Sequence, residues 1–142
     1  MPTIALAETD AEILRCFPVM AQLRTQLVAA DFVVRIRGLQ QTAGFALASL
    51  ADGGQVRSVA GFRISDTLYS GRYLYVDDLV TDAACRSAGH GARLFDWLVD
   101  HAKQHNCEVL TLDSGVQRFA AHRFYLSRRM DILSHHFVLK LK

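Results

Sequence analysis

The chain has 142 residues, of which 51% are hydrophobic and 21% are charged, with a formal net charge of +2 at pH 7. This length and composition suit a single domain, 1–142, with one buried core. This mild basicity does not by itself imply nucleic-acid binding, which would need domain-wide basicity with clustering. No apolar run approaches the length of a membrane span.

The first third of the chain predicts a short strand followed by helices. Residues 4–7 form the predicted strand, and Thr9 with Asp10 offers an N-cap for a helix. Pro18 interrupts this pattern, so either the helix kinks there or a new helix starts with Pro18 in its first turn. Residues 31–41 are ambiguous, because Phe32 and Ile36 fit a helix capped by Asp31 while the β-branched run around them fits a strand.

The middle of the chain predicts a hairpin and a further strand. Residues 44–51 and 56–64 are predicted strands, and the turn residues 52–54, Asp-Gly-Gly, are a strong hairpin signal between them. A second polar turn at 65–71 leads into an apolar strand that ends near residue 80.

The last third alternates helices with strands. Helical apolar spacing runs from 91 to 102, followed by a strand at 109–112, a helix at 117–127 and a final strand at 135–141. The whole order predicts an α/β fold of the mixed α+β kind, with one mixed sheet and helices on both faces.

A glycine-containing connection precedes the helix that starts near Gly91. It consists of Arg86-Ser87-Ala88-Gly89-His90-Gly91. Glycines let the backbone approach a ligand closely, and the first helical turn has N–H groups without internal partners. With the positive end of the helix dipole and the guanidinium of Arg86, these donors predict an anion site.

Two other phosphate-binding motifs are excluded. The chain has no Gly-x4-Gly-Lys-Ser/Thr run. The dinucleotide fingerprint needs a third glycine where Leu94 stands, and it needs the glycines directly after the strand, whereas residues 82–88 intervene.

The pattern Arg-x-x-Gly-x-Gly, seven residues beyond Leu79, resembles the acetyl-CoA signature of the GNAT superfamily of N-acetyltransferases. The run 121–125, Ala-His-Arg-Phe-Tyr, is similar to the second motif of that superfamily. The resemblance extends over nearly the whole chain, and it favours a helix for the ambiguous segment 31–41, because the superfamily places two helices before its second strand. It departs at Ala83, where a proline is common, and at Arg129-Met130, where Gly-Phe is common.

This resemblance implies a GNAT-like acyl-CoA N-acyltransferase fold with a mostly antiparallel sheet. It implies that acetyl-CoA is the co-substrate and that its pantetheine arm lies where the signature strand and the next parallel strand splay apart. The residues it assigns to acetyl-CoA are Leu79, Val80 and Thr81 for pantetheine, and Arg86, Ser87, Ala88, Gly89, His90, Gly91 and Ala92 for the pyrophosphate. The alternative for this loop is an ordinary turn before a glycine-rich helix.

Acetyl transfer to an amine requires a neutral amine. A lysine-like amine has a pKa near 10.4, so its neutralisation at pH 7 costs roughly 4–5 kcal/mol. A carboxylate base would help, and the first candidate is Asp77, with Asp78 second. Simple alternation places Asp77 on the face of Tyr73 and Tyr75 and turns Asp78 away. The alternative is that both carboxylates are solvated or cap a neighbouring backbone.

The resemblance also assigns a role to Tyr125 as the proton donor to the departing CoA thiolate. The alternative is that Tyr125 has only a structural role, as a half-buried tyrosine of the core. A bulge in the signature strand would free an N–H to polarise the thioester carbonyl.

Three alternative functions are compatible with these sequence features. The first is an acetyl-CoA-dependent N-acetyltransferase that transfers the acetyl group directly, in a ternary complex, to a small-molecule or protein amine. The second is a non-catalytic acyl-CoA-binding or regulatory module. The third, nucleic-acid binding, would use the arginine flank 118–129 and predicts steep salt dependence; we expect neither nucleic-acid nor membrane partners. Small proteins of this kind often pair as homodimers.

Three cysteines, an odd number without a Cys-x-x-Cys, predict reduced thiols and a cytoplasmic location. The first ten residues lack the pattern of a secretory signal. No metal is expected, because His101 and His105 are not followed by the glutamate of the zinc-protease pattern.

Overall fold

A computed structural model describes the whole chain, Met1–Lys142. Its elements are β1 (Thr3–Leu6), α1 (Asp10–Arg15), α2 (Phe17–Leu23), α3 (Ala29–Ala43), β2 (Phe45–Asp52), β3 (Gln55–Thr67), β4 (Gly71–Thr81), a 3₁₀ turn (Ala83–Cys85), α4 (His90–Gln104), β5 (Val109–Leu112) and α5 (Phe119–Ser127). The chain forms two compact units, Met1–Thr111 and Leu112–Lys142. None of the helices combines the length and the apolar composition that a membrane span requires.

The five strands form one sheet in the order β1-β2-β3-β4-β5. The first three pairings, from β1 to β4, are antiparallel. The hairpin between β2 and β3 turns at Gly53 and Gly54, whose φ angles of 61° and 78° suit glycine. The mixed fold predicted from the sequence is therefore confirmed.

Helices α1, α2 and α3 cover one face of the sheet. Thr9 caps α1 in a capping box with Glu12, and Pro18 lies in the first turn of α2, where a missing N–H is tolerated. The ambiguous segment 31–41 is helical, because Phe32 and Ile36, four residues apart, are both buried in the core. Burial of one helical face thus overrides the strand preference of the β-branched residues.

Helix α4 packs on the other face of β3. Val59 belongs to the core beneath the first three helices, whereas Phe62, three residues on, packs edge-to-face against Trp97 and His101 of α4. Leu94 and Leu98 of α4 are fully buried. The sheet therefore has helices on both faces.

The second unit contains α5 and a C-terminal segment without regular secondary structure. The predicted strand at 135–141 is wrong, because the structure has no regular element beyond α5. Its apolar side chains are exposed, Phe137 at 91% and Leu141 at 87%. Local β preference reflects packing and pairing with neighbouring strands, and this segment has neither a ladder partner nor a buried face.

Candidate functional site

Strand β4 carries a β-bulge at Asp77. Gly61 of β3 pairs with Asp78 and Phe62 pairs with Val76, so Asp77 is the extra residue. An extra residue breaks the period of two along a strand. The expectation that Asp78 points away from Asp77 is therefore wrong, and both side chains line one pocket.

Gly61 makes room for this arrangement. A Cβ atom at Gly61 would lie 2.5 Å from Oδ2 of Asp78 and would also overlap the ring of Phe45. Only glycine fits without displacing one of these groups. A glycine inside a predicted strand is a known signal for a bulge, and it offered the one sequence clue to this feature.

Two arginines bind the two carboxylates. Arg63 donates from Nε to Oδ2 of Asp77 at 2.7 Å and from Nη2 to Oδ1 at 2.9 Å. Arg24 donates from Nε to Oδ1 of Asp78 at 2.7 Å and from Nη2 to the backbone carbonyl of Asp77 at 2.8 Å. Neither arginine was singled out from the sequence, because both pairings join segments that are distant along the chain.

The carboxylates lie deeper than the guanidinium groups. The side chains of Asp77 and Asp78 are 26% and 13% exposed, against 36% for Arg63 and 43% for Arg24. The alternative of two solvated carboxylates is therefore wrong. Burial raises the pKa of Asp78 above its ordinary value despite the opposing effect of Arg24, and the hydrogen bond to Asp77 raises the pKa of Arg63.

A pocket of about 380 Å³ opens beside the bulge. Its volume lies near the lower end of the usual range for small-molecule sites. Helix α3, three strands and the residue that follows α2 line it: Arg24, Leu39, Ala43, Phe45, Arg63, Asp77 and Asp78. The pocket thus combines two ion pairs with an apolar wall.

The loop beyond β4 is tied to helix α2. The side chain of Gln22 accepts a hydrogen bond from the amide of Ala83 at 2.9 Å and donates one to Asp82 at 3.1 Å. Asp82 itself caps the 3₁₀ turn by accepting from the amide of Ala84. Arg86 follows this fixed turn and is exposed. Gln22 is a third long-range contributor, after Arg24 and Arg63, that sequence patterns do not reveal.

Helix α4 begins at His90, after Gly89 with a φ of 81°. No side chain caps this end and no acidic residue lies in its first turn, so the amides of His90, Gly91 and Ala92 are available to an external acceptor. A Cβ atom at Gly91 would lie 2.9 Å from Oγ1 of Thr81. These features fit an anionic group with several acceptor oxygens.

A part-buried pair of hydroxyl groups lies at the end of β4. The hydroxyl of Ser58 donates to the carbonyl of Val80 at 3.0 Å and lies 3.1 Å from Oγ1 of Thr81. Leu79, Val80 and Thr81 directly follow the two aspartates at the bulge, and they lead into the loop that contains Arg86. The structure brings these predicted site residues together along one strand and the helix that follows.

Tyr125 lies in α5, within the second unit. Its side chain is half-buried and its ring packs edge-to-face on Phe124 with centroids 5.6 Å apart. Burial raises the pKa of Tyr125, and the charge of Arg118 opposes that shift. A phenol that stays protonated is suited to donate a proton.

The histidines of α4 stack with their neighbours. The ring centroid of His101 lies 4.8 Å from that of Trp97 and 4.1 Å from that of His105. Burial and the neighbouring His105 lower the pKa of His101. No group of three or more His, Cys, Asp or Glu side chains is arranged to hold a metal ion.

Comparisons with known proteins identify relatives of this chain. The sequence profile described as the Acetyltransferase (GNAT) family matches residues 9–130. An N-acetyltransferase of Bacillus subtilis (strain 168), YhdJ, described as uncharacterized, is 34% identical over 112 residues, which cover 79% of each chain.

Two solved structures share the fold. The ribosomal-protein-alanine N-acetyltransferase of Brucella melitensis biovar Abortus 2308 superposes with a TM-score of 0.85 at 16% identity and covers all of both chains. AAC(6')-Iy, in complex with a CoA-containing bisubstrate analog, superposes with a TM-score of 0.84 at 9% identity, covering 100% of this chain and 99% of that one. At such identities the likeness concerns the fold alone.

Proposed function

Because the chain belongs to the GNAT family of acetyltransferases, we propose that it moves an acetyl group from acetyl-CoA to a primary amine by direct transfer in a ternary complex. The observation that carries this proposal is the continuity of β4. Along this strand the bulged pair Asp77 and Asp78 is followed by 79–81 and then by the anion-binding start of α4. An acceptor pocket and a phosphate site thus adjoin the same strand.

Acetyl-CoA would supply the thioester carbon and a thiolate leaving group. The amides of His90, Gly91 and Ala92, together with Arg86, would bind its pyrophosphate. Ser87, Ala88 and Gly89 shape the approach to those amides, and Ser87 and Gly89 have the positive φ angles that turn the chain there. By family resemblance, the backbone of 79–81 holds the pantetheine arm.

The amine arrives protonated and must lose a proton before it attacks. Both oxygens of Asp77 accept hydrogen bonds from Arg63, whereas Oδ2 of Asp78 accepts none. Burial also raises the pKa of Asp78, which makes its carboxylate a better proton acceptor near neutral pH. We therefore assign the base to Asp78 and an orienting role to Asp77, which reverses their predicted order.

The remaining steps concern charge on the acetyl oxygen and on sulfur. A bulge takes backbone groups out of the ladder, and an N–H near Asp77 would stabilise the developing oxyanion. The resemblance assigns protonation of the thiolate to Tyr125, and the raised pKa of this phenol keeps the proton available.

The test is release of free CoA thiol with a panel of primary amines, measured for the native chain and for Asp78→Asn and Asp77→Asn. Asp78→Asn should lower kcat about 100-fold or more, as loss of a general base does. Asp10→Asn is the matched control, because Asp10 pairs with Arg37 on the exposed surface. A protein that binds acetyl-CoA but acetylates no amine would instead be the acyl-CoA-binding module.

Three finer predictions belong to this proposal. The acceptor is a small-molecule or protein amine, the three free cysteines suit the reducing cytoplasm, and the chain pairs as a homodimer. Cell fractionation checks the location, and light scattering on the purified protein checks the dimer.

A further inference from the structure

The acceptor pocket presents cationic rather than anionic groups to an incoming molecule. It contains two arginines and two aspartates, so its formal charge is zero. The guanidinium groups are the more exposed partners in both pairs, at 43% and 36%, against 13% and 26% for the carboxylates. A polyamine would therefore meet positive charge first.

Each guanidinium group is held in place by hydrogen bonds along one of its own edges. Arg24 and Arg63 each donate hydrogen bonds from Nε and Nη2 to the aspartates. The ring centroid of Tyr75 also lies 5.2 Å from Cζ of Arg63. Nη1 of each arginine makes no hydrogen bond within the protein. A fixed guanidinium with a remaining donor edge is well suited to a carboxylate, whose two oxygens accept parallel N–H bonds.

The rest of the pocket wall is apolar. Leu39 and Ala43 come from the end of α3, and Phe45 begins β2. An acceptor that fills the pocket thus needs an uncharged hydrocarbon portion beside its charged groups.

We infer that the acceptor is a free α-amino acid with an apolar side chain, whose carboxylate binds the Nη1 edges of Arg24 and Arg63 while its amine faces Asp78. This inference rests on the proposed acetyltransferase function and narrows its acceptor to one class. The carboxylate fixes the orientation of the molecule, the apolar wall receives its side chain, and the amine is delivered to the base beside the bulge.

The experiment compares matched ligands by calorimetric titration into the protein saturated with CoA. Leucine, leucinamide and 3-methylbutylamine form one series, phenylalanine and its two counterparts form another, and spermidine represents the polyamines. The amino acids should bind at least tenfold more tightly than the amides and decarboxylated amines. Equal or tighter binding of the amines without a carboxylate, or of spermidine, overturns the inference, as does failure of every amino acid to bind.

Variants localise the effect. Arg63→Gln and Arg24→Gln should each lower the ratio of amino-acid affinity to amide affinity about tenfold, and Arg63→Lys should restore only part of this preference because lysine lacks the planar fork of arginine. Arg37→Gln is the matched control, since Arg37 pairs with Asp10 outside the pocket and is similarly exposed, at 39%. The acetyl-CoA affinity of the native protein, measured in parallel, separates the two proposals. Absence of acetyl-CoA binding would count against the acetyltransferase function. Intact acetyl-CoA binding without a preference for ligands that carry a carboxylate would count against the acceptor class alone.

Discussion

The carboxylate of Asp78 occupies space that any side chain at Gly61 would need, since its Oδ2 lies 2.5 Å from where a Cβ would stand. Gly61→Ala should therefore displace Asp78 or Phe45 and cost about 1–3 kcal/mol of stability, the usual effect of overpacking. It should also lower kcat without changing acetyl-CoA affinity, because the anion loop is left intact. Urea denaturation and steady-state kinetics measure the two effects.

Gly38→Ala is the control for that substitution. Gly38 lies inside α3 with nothing within 4 Å of its missing Cβ, so alanine should stabilise the protein by about 0.5–1 kcal/mol. If Gly61→Ala behaved like Gly38→Ala, the bulge would not require a glycine at position 61.

Tyr125→Phe should reduce kcat about 100-fold while leaving the dissociation constant of acetyl-CoA unchanged. The donor is the neutral phenol, so its contribution is present below the folded pKa and is lost as pH rises through it. Burial raises that pKa above the ordinary value of 10, so kcat should show no alkaline decline from Tyr125 below pH 10. Tyr69→Phe, at a residue 92% exposed, should change nothing. A Tyr125→Phe enzyme with full kcat would remove this residue from the chemistry.

The three thiols should differ sharply in reactivity. Cys16 is fully buried, and burial raises its pKa to about 11, so roughly one thiol in a thousand is ionised at pH 8. Titration with a disulfide reagent should therefore modify Cys85 and Cys107 in the native protein and Cys16 only after unfolding. Three equally fast thiols would contradict the burial of Cys16. The two reactive thiols set the background of any assay that follows free CoA.

Arg129 adopts a φ of 66°, in the left-handed region that favours glycine. It stands where the family commonly has glycine, and the helix end keeps a left-handed turn, with the amide of Met130 donating to the carbonyl of Tyr125 at 3.2 Å. Arg129→Gly should relieve strain and stabilise the protein by about 1 kcal/mol, measured by urea denaturation. Arg123→Gly, inside α5, should instead destabilise it by a similar amount. A destabilised Arg129→Gly variant would show that the arginine side chain outweighs the backbone strain.

The sequence was informative where local chemistry decides the structure. The hairpin at 52–54 and the glycine at the start of α4 follow from conformations that glycine alone adopts without strain, and both predictions agree with the structure. The helix at 31–41 needed the family resemblance, because its β-branched residues favour a strand locally.

The acceptor pocket was less predictable because it depends on contacts between distant segments. Arg24 and Arg63 reach Asp78 and Asp77 from 54 and 14 residues away, and no local pattern indicates such pairs. The bulge reverses the face of Asp78, and periodicity cannot reveal one extra residue in a strand. The strand predicted at 135–141 is absent for the opposite reason, because its local β preference is not matched by a neighbouring strand with which it could pair.

The central claim is that the start of α4 binds acetyl-CoA. Calorimetric titration of acetyl-CoA and CoA into the purified chain, beside Arg86→Glu, tests it most directly. We expect micromolar binding by the native chain and its loss in Arg86→Glu, because the reversed charge repels the pyrophosphate at an otherwise intact helix end. An absence of binding by the native chain would contradict the acetyltransferase function.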